Sequence, residues 1–254
     1  MYKIDLNCDL GESFGAYTIG SDELIIPYIS SANVACGYHA SDPIVMEKTI
    51  ALCKKYGTAV GSHPGFPDLL GFGRRVMKVT PAEARAYVIY QIGALDAFCK
   101  TAGIKMQHVK PHGALYNMAG KDYELAIAIC EGIKEYNPEL IMSVLSGSQM
   151  QKAAEDTGLR FAREVFADRG YQADGSLVPR GQAGALITDE NEAISRVIKM
   201  IKEHKVLTQD GTVEIIPDSV CVHGDGEKAV LFVKKLGEAF SKEDICLAAL
   251  SEIV

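Results

Sequence analysis

The sequence predicts a single α/β domain, residues 1–254, folded as a distorted seven-stranded parallel β/α barrel. Three observations predict it. Seven short apolar runs alternate with longer amphipathic segments, the pattern of a parallel sheet with right-handed crossovers. The longer segments carry helix start and stop residues at their ends. Dense polar clusters follow the apolar runs, and parallel α/β folds build their sites beyond the carboxyl ends of their strands. An open doubly wound sheet fits the same alternation and is the second choice, because periodicity alone does not separate the two.

The apolar runs place strands near 3–9, 30–37, 58–62, 104–110, 140–145, 160–166 and 219–223. Between them the first helix is expected over 42–56, with Asp42 as N-cap, Pro43 in the first turn and Gly57 as the stop. The segment 81–102 opens on Thr80-Pro81-Ala82-Glu83, a capping box with proline in the first turn, and ends at Gly103. Further helices are expected near 122–136, 148–157, 189–203 and 226–240, with a short one near 242–251. Asn137-Pro138 and Gly158 mark two of the stops. The longest irregular stretches, 63–79 and 167–188, both follow strands, where binding loops belong.

Composition narrows the function. The net charge is −7 and no run of lysine or arginine tracks a phosphate backbone, which argues against nucleic-acid binding and for a small substrate or a protein partner. Seven cysteines, an odd number with no C-x-x-C pair, point to a reducing cytoplasm without a disulfide framework. Cys53, Cys99, Cys130 and Cys246 fall in apolar helical patterns and are expected to be buried packing. The amino terminus lacks the apolar core of a signal peptide, and no stretch is long enough to cross a bilayer.

Five of the six histidines stand at predicted strand ends. They lie in Asn33–His39, Gly61-Ser62-His63-Pro64, His108-Val109-Lys110-Pro111-His112 and Val222-His223-Gly224-Asp225, beside the further clusters Asn7-Cys8-Asp9 and Glu164–Tyr171. Successive strand residues point to opposite faces. Asn7 and Asp9 therefore share one face, as do Asn33, Ala35, Gly37 and His39, and as do Met106, His108, Lys110 and His112. A barrel interior grading into a polar mouth has this pattern.

Each cluster also has a plainer reading. Asp9 and Asp225 suit helix N-caps, a lone strand-end histidine is commonly structural, and Arg74, Arg75 and Arg169 suit solvated surface. Lys110 is harder to dismiss, because a lysine in an apolar strand needs a partner or an anion. The strongest catalytic candidates are Asp9, His63, Lys110 and His112, joined by His39, Asp168 and His223. Asn7, Glu12, Asn33, Arg169, Tyr171, Arg180 and Asp225 are candidates for holding a substrate or phosphate. Asp9, His39, His63 and His112 supply ligands for a divalent metal such as magnesium, manganese or zinc, although no spacing is diagnostic. Pro111 argues against helical pairing of His108 and His112. No Walker A motif, G-x-G-x-x-G motif or G-x-S-x-G elbow is present.

Taken together, DLNCDLGES (Asp5–Ser13), NVACGYHASDP (Asn33–Pro43), GSHPGFPDLLGFGRR (Gly61–Arg75), VKPHGALYN (Val109–Asn117), EVFADRGY (Glu164–Tyr171), LVPRG (Leu177–Gly181) and CVHGD (Cys221–Asp225) resemble the LamB/YcsF family over essentially the whole chain. The resemblance implies a seven-stranded β/α barrel similar to glycoside hydrolase and deacetylase barrels. It implies the catalytic subunit of an ATP-dependent 5-oxoprolinase. That activity opens the lactam 5-oxo-L-proline to L-glutamate with ADP and phosphate as products, and it needs partner subunits B and C. Two rival readings stand beside it: a metal-dependent amide hydrolase or deacetylase that needs no ATP, and a non-catalytic scaffold. The density of polar residues at interior strand ends argues against the scaffold, since interfaces favour apolar cores with aromatic anchors.

Overall fold

A computed structural model describes residues 2–208, 211–222 and 227–254. In chain order the elements are β1 (Tyr2–Leu10), α1 (Asp22–Ile25), β2 (Ser31–Ala35), α2 (Pro43–Tyr56), β3 (Ala59–His63), α3 (Pro81–Ala102), β4 (Met106–Val109) and α4 (Gly113–Ala119). There follow α5 (Tyr123–Tyr136), β5 (Ile141–Leu145), α6 (Gln149–Thr157), β6 (Phe161–Phe166), α7 (Glu190–Glu203), β7 (Lys205–Thr208), β8 (Gly211–Glu214), β9 (Ser219–Val222), α8 (Glu227–Lys242) and β10 (Ile245–Leu247). Strands β1 to β6 pair in sequence, β6 pairs with β9, and β9 returns to β1, so seven parallel strands close into a barrel. Closure is in register, with Asp5 opposite Ser219 on one side of β1 and Asn7 opposite Ser31 on the other.

Local chemistry sets the elements where the sequence places them. The Asp42 carboxylate accepts from the amides of Ile44 and Val45 at 2.8 and 3.0 Å, and Gly57 ends α2 in the left-handed region at φ 72°. Thr80 and Glu83 form the reciprocal capping box that starts α3. The outward faces of the strands (Leu6, Cys8, Val34, Val60, Val109, Val144, Val165 and Val220) are buried under the helices.

The expected helix over 242–251 is not there. Asp244 takes φ 57° and turns the chain. Residues Ile245–Leu247 then pair with the start of β1 as β10, and a single 3-10 turn covers Leu250–Glu252. The turn caps the amino-terminal end of the barrel, where Leu250 packs on Ile141 and Ala162. Cys246 is accordingly exposed, while the other six cysteines are buried and all seven are free. The periodicity also gave no sign of α1, α4 or the β7–β8 hairpin, each too short to carry a pattern. Among the described residues no helix is long and apolar enough to cross a membrane.

Above the apolar plug of Ile141, Ala162 and Leu250 the barrel interior is lined by polar side chains, unlike the stacked branched aliphatic layers that fill larger β/α barrels. At the amino-terminal end the buried Asp5 carboxylate accepts from the Ser30 and Ser31 hydroxyls, both at 2.6 Å, and from Ser219. Above it Asn7 donates to Glu164 at 3.0 Å and to Ser219 at 2.7 Å. Asn33 donates to Asn7 and Asp9 at 2.7 and 2.9 Å, and His108 Nε2 lies 2.8 Å from the Asn33 oxygen.

Two buried groups in this interior titrate in opposite senses. Burial, only partly offset by the serine hydroxyls, raises Asp5 to about 6 from 3.8. Burial, with the charge of Lys110 and the neighbouring His63, lowers His108 to about 3 from 6.5. Asp5 therefore keeps a proton in the folded chain that the unfolded chain has lost, and stability falls as pH rises from 3.8 to 6. His108 refuses a proton that the unfolded chain takes, so stability falls as pH drops from 6.5 towards 3. Between pH 4 and 6 the two slopes oppose one another. Asp5→Asn, which keeps an oxygen for Ser30 and Ser31, is expected to unmask the histidine and steepen the acid loss of stability by up to about 1.4 kcal/mol per pH unit. Urea unfolding of both proteins at pH 6, 5 and 4 checks this, and an unchanged slope refutes it.

Candidate active site

The carboxyl end of the barrel opens into a cavity of about 730 Å³. Its floor is made by Asp9, Glu12, His63, Lys110 and His112, and its walls include Arg74, Tyr116, Ser146–Gln149, Arg169 and Arg180. Asp9 comes from the end of β1, where it points inward to Lys110 and His63. His63 is the last residue of β3. Lys110 and His112 lie just past β4, because the β3–β4 pairing runs on: the Lys110 amide donates to the Ser62 carbonyl at 2.9 Å and the His112 amide to the Pro64 carbonyl at 2.8 Å. Pro111 keeps this stretch extended rather than helical. Lys110 and His112 thus share a face, and His112 meets His63.

Lys110 is the hub. Its ammonium lies 2.9 Å from Asp9 Oδ1, 2.8 Å from Glu164 Oε1, 3.2 Å from Asn7 Oδ1 and 3.1 Å from Cys221 Sγ. Burial opposes its charge, but Asp9, Cys221 and Glu164 outweigh burial and hold its pKa well above the ordinary value. Glu164 is fixed in turn by the Tyr116 hydroxyl, which donates to Oε2 at 2.9 Å.

The histidines form a second layer. His63 Nδ1 lies 2.6 Å from the Lys110 carbonyl oxygen, and Nε2 lies 3.3 Å from Asp9 Oδ2 and 2.9 Å from His112 Nδ1. His112 Nε2 lies 2.9 Å from the carbonyl oxygen of Phe72, a residue held at φ 53° in the loop after β3. His39 sits behind, stacked on His112 with ring centroids 3.7 Å apart, and its Nε2 is 3.2 Å from Glu12 Oε1. Burial, with the neighbouring histidines, pushes His39 well below its ordinary pKa, and burial, with His63 beside it, pushes His112 to about 3. Glu12, His39, His63 and His112 each offer one ligand atom, and these atoms lie within 4.8 Å of one another.

The sequence candidates divide by position. Asp9, Glu12, His63, Lys110 and His112 meet at the cavity floor, while Asn7 and Asn33 lie beneath it and orient Asp9 and Lys110. Arg180 is on the wall, far along the chain from the floor residues. Arg169 also reaches the wall, but its Nε and one terminal nitrogen donate to the carbonyls of Ala185 and Val178, fastening the loop after β6. Among the described residues on the wall Asp168 and Tyr171 do not occur. Strand β6 ends at Phe166, so its alternation does not reach them, and the Tyr171 hydroxyl accepts the Phe166 amide at 2.9 Å. His223 and Asp225 lie outside the described residues. Glu164, Tyr116 and Cys221 carry roles that were not assigned from sequence. Glu164 lies inside the apolar run of β6, and a buried carboxylate there needs a partner, which was the available signal.

Comparison with known proteins agrees with this architecture. The LamB/YcsF family profile matches residues 4–254. A Clostridium beijerinckii protein named as the A subunit of 5-oxoprolinase is 64% identical over 254 residues, covering 100% of both chains. One of the same name from Geobacillus kaustophilus is 55% identical, covering 98% of this chain and 97% of its own. The crystal structure of a lactam utilization protein from Thermus thermophilus superposes with a TM-score of 0.92 at 44% identity, covering 97% of this chain and 99% of that one. A full-length match of profile, sequence and fold has one reading: the chain belongs to the LamB/YcsF family.

Proposed function

We propose that this chain opens the five-membered lactam 5-oxo-L-proline to L-glutamate, as the catalytic subunit of an ATP-dependent 5-oxoprolinase that also needs subunits B and C. The observation that carries the reading is the buried cluster of Asp9, His63, Lys110 and His112 at the floor of a cavity open to solvent. The names borne by its relatives supply the substrate.

A lactam is a stable amide and a poor target for water. Transfer of the terminal phosphoryl group of ATP to the amide oxygen makes the ring carbon more electrophilic. Water adds to that carbon, and the ring C–N bond breaks as the nitrogen takes a proton, leaving an acyl phosphate. A second water hydrolyses the acyl phosphate to the side-chain carboxylate and inorganic phosphate. His63 is anchored through Nδ1 to a backbone carbonyl and presents Nε2 beside Asp9. Asp9 takes the proton from water. The fixed positive charge of Lys110 meets the negative charge that develops on oxygen. Arg180 on the cavity wall holds the substrate carboxylate.

Glutamate release from 5-oxoproline, measured with ATP for the purified chain alone and then with subunits B and C, tests the proposal. Release in the mixture supports it. No release in the mixture, together with ATP-independent cleavage of another amide by the chain alone, overturns it. His112→Asn is expected to lower turnover by about a hundredfold or more with an unchanged melting temperature; full activity in that variant removes His112 from the mechanism. A second reading, an amide hydrolase or deacetylase that uses a metal ion and no ATP, draws on the ligand atoms of Glu12, His39, His63 and His112. It predicts that chelators stop the reaction and that depleting ATP does not.

A further inference from the structure

The hydrogen bonds of two histidines fix their neutral tautomers and aim two lone pairs at one place on the cavity floor. A backbone carbonyl only accepts. The contact of 2.6 Å between His63 Nδ1 and the Lys110 oxygen therefore puts the proton of neutral His63 on Nδ1 and leaves a lone pair on Nε2. The contact of 2.9 Å between His112 Nε2 and the Phe72 oxygen puts the proton of neutral His112 on Nε2 and leaves a lone pair on Nδ1. These two lone pairs face each other at 2.9 Å. Glu12 Oε1 adds a third electron-rich atom 3.6 Å from His112 Nδ1, and Asp9 Oδ2 a fourth 3.3 Å from His63 Nε2. Two imidazole nitrogens and two carboxylate oxygens converging in this way form a ligand set for a cation. The Lys110 ammonium is turned to Asp9 Oδ1, Glu164, Asn7 and Cys221 instead.

We propose that His63 Nε2, His112 Nδ1 and Glu12 Oε1 hold one divalent transition-metal ion, of the zinc, manganese or cobalt class, with a further coordination position open towards the cavity. Two ligand atoms bound at 2.0–2.1 Å to one tetrahedral ion lie roughly 3.3 Å apart. The observed separations of 2.9 Å and 3.6 Å bracket that value. Imidazole and carboxylate ligands suit these ions. Both histidines also carry the outer partner that metal-bound imidazoles require, a backbone carbonyl on the far nitrogen. All three ligands line the cavity, whereas His39 does not. His39 acts through Glu12, which its Nε2 approaches at 3.2 Å. It is a positioning residue rather than a ligand.

The ion site stands on side-chain geometry and is tested by binding rather than turnover, so its failure leaves the lactam-opening proposal untouched. Tag-free protein is stripped with a chelator and titrated calorimetrically with Zn²⁺ alone, and separately with Co²⁺, whose visible absorption reports its coordination. The expected result is one ion per chain with a tetrahedral or five-coordinate cobalt spectrum. His63→Gln and His112→Asn are each expected to weaken binding by about a hundredfold or more, His39→Asn by about tenfold, and the exposed His204→Asn not at all. Glu12→Gln serves as the isosteric variant if a histidine variant does not fold. No saturable uptake by the stripped wild type overturns the proposal. So does equal binding by wild type and the ligand variants, which would mean an adventitious ion only. Nitrogen NMR showing a proton shared between His63 and His112 that Zn²⁺ does not displace overturns it as well.

Discussion

Lys110→Met is expected to cost about 3–5 kcal/mol of folding stability and about a hundred- to a thousandfold in turnover. The two losses have different origins. Lys110 is 2% exposed and is flanked by Asp9 at 2.9 Å and Glu164 at 2.8 Å. Glu164 itself is fully buried. Methionine fills a similar volume but leaves two carboxylates in the interior without their shared ammonium, and an uncompensated buried charge is what makes breaking one half of an ion pair expensive. Adding Glu164→Gln to Lys110→Met removes one of the stranded charges and is expected to recover part of the stability. It restores no activity, because the fixed positive charge at the cavity floor is still missing. Urea unfolding separates the first effect, and glutamate release with subunits B and C the second. Wild-type turnover in Lys110→Met would place the lysine outside the reaction and leave it a purely structural residue.

That lysine also marks how far the sequence could be read. A lysine in an apolar strand signals a buried partner, and the alternation of β4 places it inward with His108 and His112. Nothing local names the partners, because Asp9 is 101 positions away and meets Lys110 only when the barrel closes. The same limit explains Glu164, whose face was legible and whose role was not. Caps and strand ends were readable because Asp42, Thr80 and the glycine stops act within a few residues of themselves. The loop after β6 was not readable in this way. Arg169 looked like an anion ligand by charge and position, yet two of its donors close that loop through Ala185 and Val178, bonds with no periodic signature. The carboxyl-terminal turn was misread for a related reason. A short apolar stretch suits a helix or a strand equally, and the start of β1, Tyr2–Ile4, which runs on below its pairing with β2 and β9, decided the outcome.

Gly61→Ala tests whether the polar interior is one connected structure. An alanine Cβ at this position would lie 2.1 Å from His108 Nε2 and 2.2 Å from Cδ2, far inside the 3.4–4 Å of ordinary contact. The glycine is there for space, since the ring of His108 crosses the barrel over it. The ring has little freedom to retreat, because Nε2 is 2.8 Å from Asn33, and Asn33 in turn holds Asn7 and Asp9. The methyl group must therefore displace the histidine, and through Asn33 it must disturb the carboxylate that pairs with Lys110. A loss of about 3 kcal/mol or more is expected, at the upper end for overpacking, accompanied by a fall in turnover. The decisive measurement is a double-mutant cycle with His108→Ser, which removes the obstructing ring. If the clash is the cause, Gly61→Ala costs far less in that background, and the coupling energy is of the order of 2 kcal/mol, near the top of the range for residues in direct contact. Additive losses would mean that the glycine serves the backbone of β3 and not the ring above it. The turnover readout then tells whether Asp9 depends on His108 at all: activity that recovers with stability in the double variant means that the network only supports the fold, and activity that stays low means that Asn33 needs the imidazole to aim Asp9 at the reacting centre.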